Sequence, residues 1–207
     1  MVDEKNFLDS KKNALEKLAK AKKEKLVDKL IIPILESINK YDTYYTTSSC
    51  AGRIVLLELP SIGDKKNASF LGKWHRPISQ EEFSIAAKQA KKGWIWFLAQ
   101  SPIIHVGAKN INDADQLVKL CVSCGFKNTG IRSLGKKIIV EICSTERLDA
   151  PVGKDGKLFC TNEYQDILVE TANEVLNRSQ EKLDILQDGL KKNVWVKGNS
   201  HVNLMNN

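Results

Sequence analysis

Helical and strand periodicities interleave along this chain without settling into a regular βαβ repeat, and that alternation limits the architectures open to it. Val27, Leu30, Ile31, Ile34, Leu35 and Ile38 recur at the 3- and 4-residue spacing of a buried helix face, within a helical stretch from Leu8 to about Lys40. Pro33 falls inside it, which predicts a kink there or a break near Leu30. A strand follows over 54–59, then a loop through 63–67 and a second strand ending near Trp74 and His75. Ser79 and Glu82 stand at capping-box spacing before a helix with Phe83, Ala86, Ala87 and Ala90 inside and Gly93 at its end. Strands over 94–100 and 103–108 flank Pro102, which a continuous central strand would not tolerate. Asn110 caps a helix with Ala114, Leu117, Val118 and Cys121 on its inner face and Gly125 after it. A hairpin over 127–133 and 136–143 turns at Leu134-Gly135, and a loop carries Pro151, Gly153 and Gly156. The last element is the longest: Tyr164, Ile167, Leu168, Ala172, Val175, Leu176, Leu183, Leu186 and Leu190 form one apolar stripe, with Asn162 and Gln165 placed to cap its start.

These patterns predict an α/β or α+β fold: a single layered domain over 1–192 with a mixed β-sheet and flanking helices, then a polar tail over 193–207. A Rossmann-type core is not expected, because it needs closely spaced glycines after its first strand and none of the 12 glycines is one residue from another. No run is apolar enough to span a bilayer and the first residues lack a signal-peptide pattern, so a cytoplasmic location is expected. The five cysteines are expected reduced rather than disulfide-bonded. A net charge of +7 favours a polyanionic partner, and the lysines from Lys11 to Lys29 make either a solvated helix face or a phosphate-contacting arm.

The densest chemistry lies in Tyr41 to Ile54, where three tyrosines, three threonines, two serines, Cys50, Gly52 and Arg53 run into the apolar strand Ile54 to Leu59. Burying that many polar groups needs partners, so a site is expected there. Gly52 permits a turn that presents Arg53, whose fork suits a ligand carboxylate or a structural bridge to a buried acid. Cys50 reads as a pocket wall more readily than as a nucleophile. His75 can act as a base or substrate-orienting group, and His105, set among apolar strand residues, as a second imidazole or a hydrogen-bonded core residue. Trp94 and Trp96 share one strand face, as core or as stacking surface. Cys121 and Cys124 sit at a helix end rather than a helix start, which favours core packing over redox or zinc chemistry.

The 41–54 segment resembles the signature of the tRNA wybutosine-synthesising protein 3 family. Trp74-His75-Arg76, Gly93-Trp94-Ile95-Trp96, Pro102 to Val106, Gly125-Phe126-Lys127 with Gly130-Ile131, and Glu163 to Asn173 follow in that family's order, over roughly residues 28–190. Two positions depart from its pattern: Ala51 replaces a usual serine, and Gln100-Ser101 precedes Pro102 where an acid is more typical. The resemblance implies a methyltransferase dependent on S-adenosyl-L-methionine (SAM) that methylates N4 of a tricyclic guanosine derivative beside the anticodon of tRNA(Phe). Its implied partner is the anticodon arm, without a metal or a membrane. It implies catalytic roles for His75 and Ser49, and substrate or cofactor contacts from Tyr45, Ser48, Cys50, Arg53, Trp74, Trp96 and His105. The alternatives are a non-catalytic RNA-binding module and, less favoured, a hydrolase built on Cys50.

Overall fold

The computed structural model describes residues 3–64 and 66–192; the polar tail expected over 193–207 lies outside them. In chain order the elements are α1 (Glu4–Lys23), a 3-10 turn (Lys29–Ile31), α2 (Ile32–Asn39), β1 (Tyr44–Cys50), β2 (Arg53–Leu59), β3 (Ser69–Trp74) and α3 (Gln80–Ala87). They continue with β4 (Trp94–Gln100), β5 (Ile103–Ala108), α4 (Ile111–Ser123), β6 (Gly130–Leu134), β7 (Ile138–Cys143), β8 (Arg147–Lys154), β9 (Lys157–Leu158) and α5 (Asn162–Lys192).

The first helical stretch breaks at residues 24–28, where Lys25 takes a positive φ of 57°. Pro33 then falls in the first turn of α2, where a missing N–H leaves no hydrogen bond unmade. The capping box of α3 forms as its spacing predicts, with Ser79 Oγ accepting from Glu82 N and the Glu82 carboxylate accepting from Ser79 N. Asn110 caps α4 through Asp113 N. At the start of α5 the cap is Thr161 rather than Asn162, its Oγ1 accepting from Tyr164 N at 3.4 Å.

The layered α/β architecture without a Rossmann core stands, but the expected mixed sheet is two sheets, and every pairing in them is antiparallel. One has the order β1-β5-β7-β6 and the other β3-β2-β4-β8-β9. The division has a local cause. Pairing of β1 with β5 ends at Cys50 opposite Ile103, and pairing of β2 with β4 begins at Arg53 opposite Gln100. Between them Ala51-Gly52 face Ser101-Pro102, so both strands of the ribbon break at the same level. Pro102 has no N–H to continue a ladder, and Gly52 turns with φ 91°. A Cβ on Gly52 would lie 3.1 Å from Gln100 O, 3.1 Å from Leu176 Cδ1 and 3.3 Å from Pro102 Cδ.

The segment read as a loop around Pro151 and Gly153 is strand β8. Its partner β9 reaches only Gly153 and Lys154, so β8 is an edge at Pro151, the one setting in which a strand tolerates proline.

Each sheet buries one face in its own core, and α5 serves both. Leu168, Ala172 and Leu176 join α3 against Ile54, Leu56, Ile95 and Phe97, with the Phe83 and Phe97 rings edge to face at 5.0 Å. Leu183, Leu186 and Leu190 join α2 and α4 against Ile104, Val106 and Ile142. α1 covers one end of the outward face of the four-stranded sheet, where Phe7 meets Tyr45 edge-on at 5.3 Å. The Tyr45 ring lies across Gly107, where an added Cβ would stand 2.2 Å from it. The polar signature residues Ser48 and Cys50 lie on the rest of that face, and Arg53 on the outward face of the other sheet. Gly52→Ala is therefore expected to lower the unfolding free energy by about 1–3 kcal/mol through its left-handed backbone, and Leu176→Ala by about 2–5 kcal/mol through a core cavity. Chemical denaturation checks both; wild-type midpoints would contradict the seam described here.

Candidate functional site

At the seam the alternation of β1 turns Ser48 and Cys50 to the outward face, in line with His105 and Ile103 on β5 and with Glu141 and Cys143 on β7. Past the break, Arg53, Gln100 and Arg147 lie side by side on the outward face of the other sheet. A cavity of about 250 Å³ joins the two groups, walled by Cys50, Ile103 and Cys143 on one side and Arg53, Gln100 and Arg147 on the other, with Ser101 and Asn128 at its rim. That volume lies just below the usual ligand-pocket range of about 300–1,000 Å³.

Arg53 donates from Nε to Gln100 Oε1 at 2.7 Å, and its guanidinium lies 5.7 Å from the Phe70 ring centre. It forms no salt bridge among the described residues. Of the two readings of its fork, the bridge to a buried acid does not form among the described residues, and its side-chain bond is to a neutral amide. Gln100 is the position where the family pattern favours an acid; here the amide keeps the guanidinium in place without neutralising it. The other departure, Ala51, is buried, and it acts through its backbone: its N–H donates to Asp28 Oδ2 at 2.8 Å and its carbonyl accepts from Gln180 Nε2 at 3.3 Å.

Two imidazoles flank the signature, each against a carboxylate. His75 Nδ1 stands 3.2 Å from Asp28 Oδ1 and 3.9 Å from Cys50 Sγ. A carboxylate accepts only, so the Asp28 contact suits an N–H on Nδ1, and Nε2 has no partner among the described residues. His105 is engaged at both nitrogens, Nδ1 at 2.9 Å from Ser48 Oγ and Nε2 at 3.0 Å from Glu141 Oε2. Arg132 Nε donates to Glu141 Oε1 at 2.8 Å. Ser48, His105, Glu141 and Arg132 thus make one hydrogen-bonded row across all four strands of their sheet, with the serine hydroxyl at its end. The Arg132 guanidinium holds the Glu141 carboxyl below its ordinary range, against burial, and His105 adds to the lowering.

Burial pushes the Cys50 thiol up, with Arg53 opposing only in part, so at neutral pH it is a thiol and a wall rather than a nucleophile. The ligand atoms of Asp28, Cys50 and His75 lie within 4.8 Å of one another, a donor set that could hold a cation. Both Asp28 oxygens are already engaged there.

The structure brings Cys50 and Arg53 to the cavity wall, His75 beside Cys50, and Ser48 with His105 one row away on the same sheet face, where Ser48 borders the groove of α1 rather than the cavity. It does not bring the other candidates there. Tyr45 is buried beneath α1. Ser49 pairs with Ile104 and so faces the other side of the sheet, in a groove with Leu26, Val27 and Thr46. Trp74 pairs with Ile54 and lies over Gly72, against the α3 core. Trp96 belongs to the outward face of the five-stranded sheet, opposite Leu57 and Pro151. Arg76 serves α3, paired with Glu82 at 2.6 Å, which draws the Glu82 carboxyl down to about 2. Cys121 and Cys124 are buried, and all five cysteines are free. Sequence reasoning missed Asp28, Glu141, Arg132, Asn128 and Arg147. Asp28 sits in an irregular turn and Arg147 in the segment read as a loop, whereas the alternation Ile139-Val140-Glu141-Ile142 did mark Glu141 as a polar residue on a buried strand.

A carboxyl with a lowered pKa stabilises the fold at pH values above its ordinary 4.5, and the contribution disappears as pH falls through the folded value below that. Glu141→Gln is expected to cost about 1–3 kcal/mol at neutral pH, with the gap to wild type closing below that range. Denaturation at a series of pH values checks this; a pH-independent gap would contradict it.

Residues 9–192 match the family described as Methyltransferase TYW3. A Pyrococcus horikoshii protein named tRNA(Phe) 7-((3-amino-3-carboxypropyl)-4-demethylwyosine(37)-N(4))-methyltransferase 1 is 50% identical over 183 residues, 88% of this chain and 93% of its own length. The Methanocaldococcus jannaschii protein of the same activity name is 43% identical over 179 residues, 86% of this chain and 93% of its own. Among solved structures, the PH1069 protein from Pyrococcus horikoshii superposes with a TM-score of 0.87 at 49% identity, covering 92% of this chain and 98% of that one. A hypothetical protein from Aeropyrum pernix superposes with a TM-score of 0.70 at 26% identity, over 79% of this chain and 97% of that one. With the family matched over residues 9–192 and half of the aligned residues identical to the Pyrococcus horikoshii protein, the chain belongs to the Methyltransferase TYW3 family.

Proposed function

We propose that this chain methylates N4 of the 7-(3-amino-3-carboxypropyl)-4-demethylwyosine nucleoside of tRNA(Phe), using SAM, with the anticodon arm docked at the seam. Family membership supports methyl transfer, and the names of the relatives support the substrate. The observation that carries the assignment to this site is the guanidinium of Arg53, held by a neutral amide and open to the cavity. SAM and the side chain of the nucleoside both end in an α-amino carboxylate, the group that an arginine fork binds in two parallel hydrogen bonds. Ser101, Asn128 and Gln100 supply polar contacts at the same rim, so the residues fit either end.

SAM, when bound, supplies an electrophilic methyl group on a sulfonium. As the N4–methyl bond forms and the sulfur–methyl bond breaks, the proton on N4 must leave. In this reading His75 takes it: Nδ1 lies beside Asp28 and Cys50, which leaves Nε2 as the atom that accepts. His105 is held by the Ser48 hydroxyl and the Glu141 carboxylate and does not itself present a free nitrogen. The rest is placement, and in-line positioning can supply about 7–11 kcal/mol of the barrier reduction in good cases.

A steady-state assay with tRNA(Phe) carrying the unmethylated nucleoside, read by mass spectrometry, is expected to show a SAM-dependent gain of one methyl. Arg53→Ala should raise KM roughly tenfold or more for whichever ligand it holds, SAM or tRNA, which identifies the carboxylate. His75→Gln should lower kcat about 10²-fold. No methyl gain by folded protein would favour a non-catalytic RNA-binding module, and unchanged rates in both variants would remove these residues from the mechanism.

A further inference from the structure

We propose that the outward face of the five-stranded sheet is a stacking platform for unpaired RNA nucleotides that adjoin the nucleoside held at the seam. The inference rests on the RNA-substrate reading above. α3 and α5 pack on the opposite face of this sheet, around Ile54, Leu56, Ile95 and Phe97. On the outward face Phe70, Leu57, Trp96 and Pro151 stand in one row across four strands, with Trp94 beside Lys154 in the row beyond. In the other direction the same face runs through Lys73 to Arg53, Gln100 and Arg147, the wall of the seam cavity. Ring surface and ligand cavity are therefore one continuous track.

The charges on this face accompany the rings. Phe70 is 54% exposed, with Arg53 and Lys73 each 5.7 Å from its ring centre, and Lys154 stands 5.1 Å from that of Trp94. Against Arg53, Lys73, Arg147 and Lys154, these rows hold one carboxylate, Asp149, which Arg147 already pairs. An exposed Phe70 ring and half-buried tryptophans edged by cations suit bases and phosphates of a single strand, because a duplex hides its base faces. The lysines of α1 make a poorer dock: Lys11 is spent on the Tyr41 carbonyl, and Lys20 and Lys22 pair with Glu24 and Glu36.

The test is fluorescence anisotropy of the whole protein with tRNA(Phe) across a salt series, beside calorimetry with SAM. Phe70→Ala and Phe70→Leu should weaken tRNA binding roughly tenfold, Phe70→Tyr should restore it, and all three should bind SAM as wild type does. Lys73→Ala should reduce the slope of log affinity against log salt by about 0.7–0.9. If wild type methylates tRNA while Phe70→Ala and Lys73→Ala bind it unchanged, the platform is wrong and the function stands. If wild type binds tRNA through Phe70 yet transfers no methyl, the platform stands and the catalytic reading falls. Absence of tRNA binding by wild type overturns both.

Discussion

The break of one antiparallel ribbon at Gly52 and Pro102 is the constraint on which the rest of the structure depends. Without it β1-β5 and β2-β4 would continue as one long pair, and the outward residues of the two halves would lie along a flat surface. With it, each half recruits its own neighbours and its own core, and Leu176 of α5 closes against the turn from the buried side. The opposite side of the same break is the cavity. A structural requirement, a glycine that must turn beside a proline that cannot pair, thereby sets Cys50 and Arg53 on adjoining walls.

The electrostatics of the site follow from which charges are satisfied. Glu141 is bound by Arg132 and His105, Asp28 by the Ala51 N–H and His75, and Arg147 by Asp149. Arg53, unlike Arg132 and Arg147, has no carboxylate partner among the described residues. A cation already paired would have to surrender that partner to bind a ligand, whereas Arg53 keeps its Gln100 bond at Nε and has further donors in its fork. The imidazoles divide in the same way: His105 is locked at both nitrogens and His75 at one.

Much of this was legible in the sequence where a local rule decides the outcome. The capping box of Ser79 and Glu82, the Asn110 cap and the Pro102 break each depend on residues a few positions apart, and each forms as the pattern predicts; the apolar stripe of α5 forms from Leu168 to Leu190 but leaves Tyr164 and Ile167 exposed. The signature was legible as a site for a similar reason: so many polar groups beside a core strand need partners. What escaped is non-local. Asp28 reaches His75 from 47 positions away, and the row from Ser48 to Arg132 is assembled by strand order, which no spacing reveals. The bulge between Thr46 and Ser48 decides which face each signature residue takes, and with it whether Ser49 or Cys50 looks into the seam. Strand β8 was hidden because proline and glycine mark turns in a sequence, while at a sheet edge they are tolerated in a strand.

The most direct measurement is a crystal structure of the protein with SAM or its demethylated product S-adenosylhomocysteine, followed by one with the modified anticodon stem–loop. The account predicts an amino-acid carboxylate within hydrogen-bond distance of the Arg53 guanidinium in one of the two complexes, with His75 Nε2 facing the reacting nitrogen in the second. Ligand density in the groove beside Ser49, with Arg53 untouched in both complexes, would contradict it.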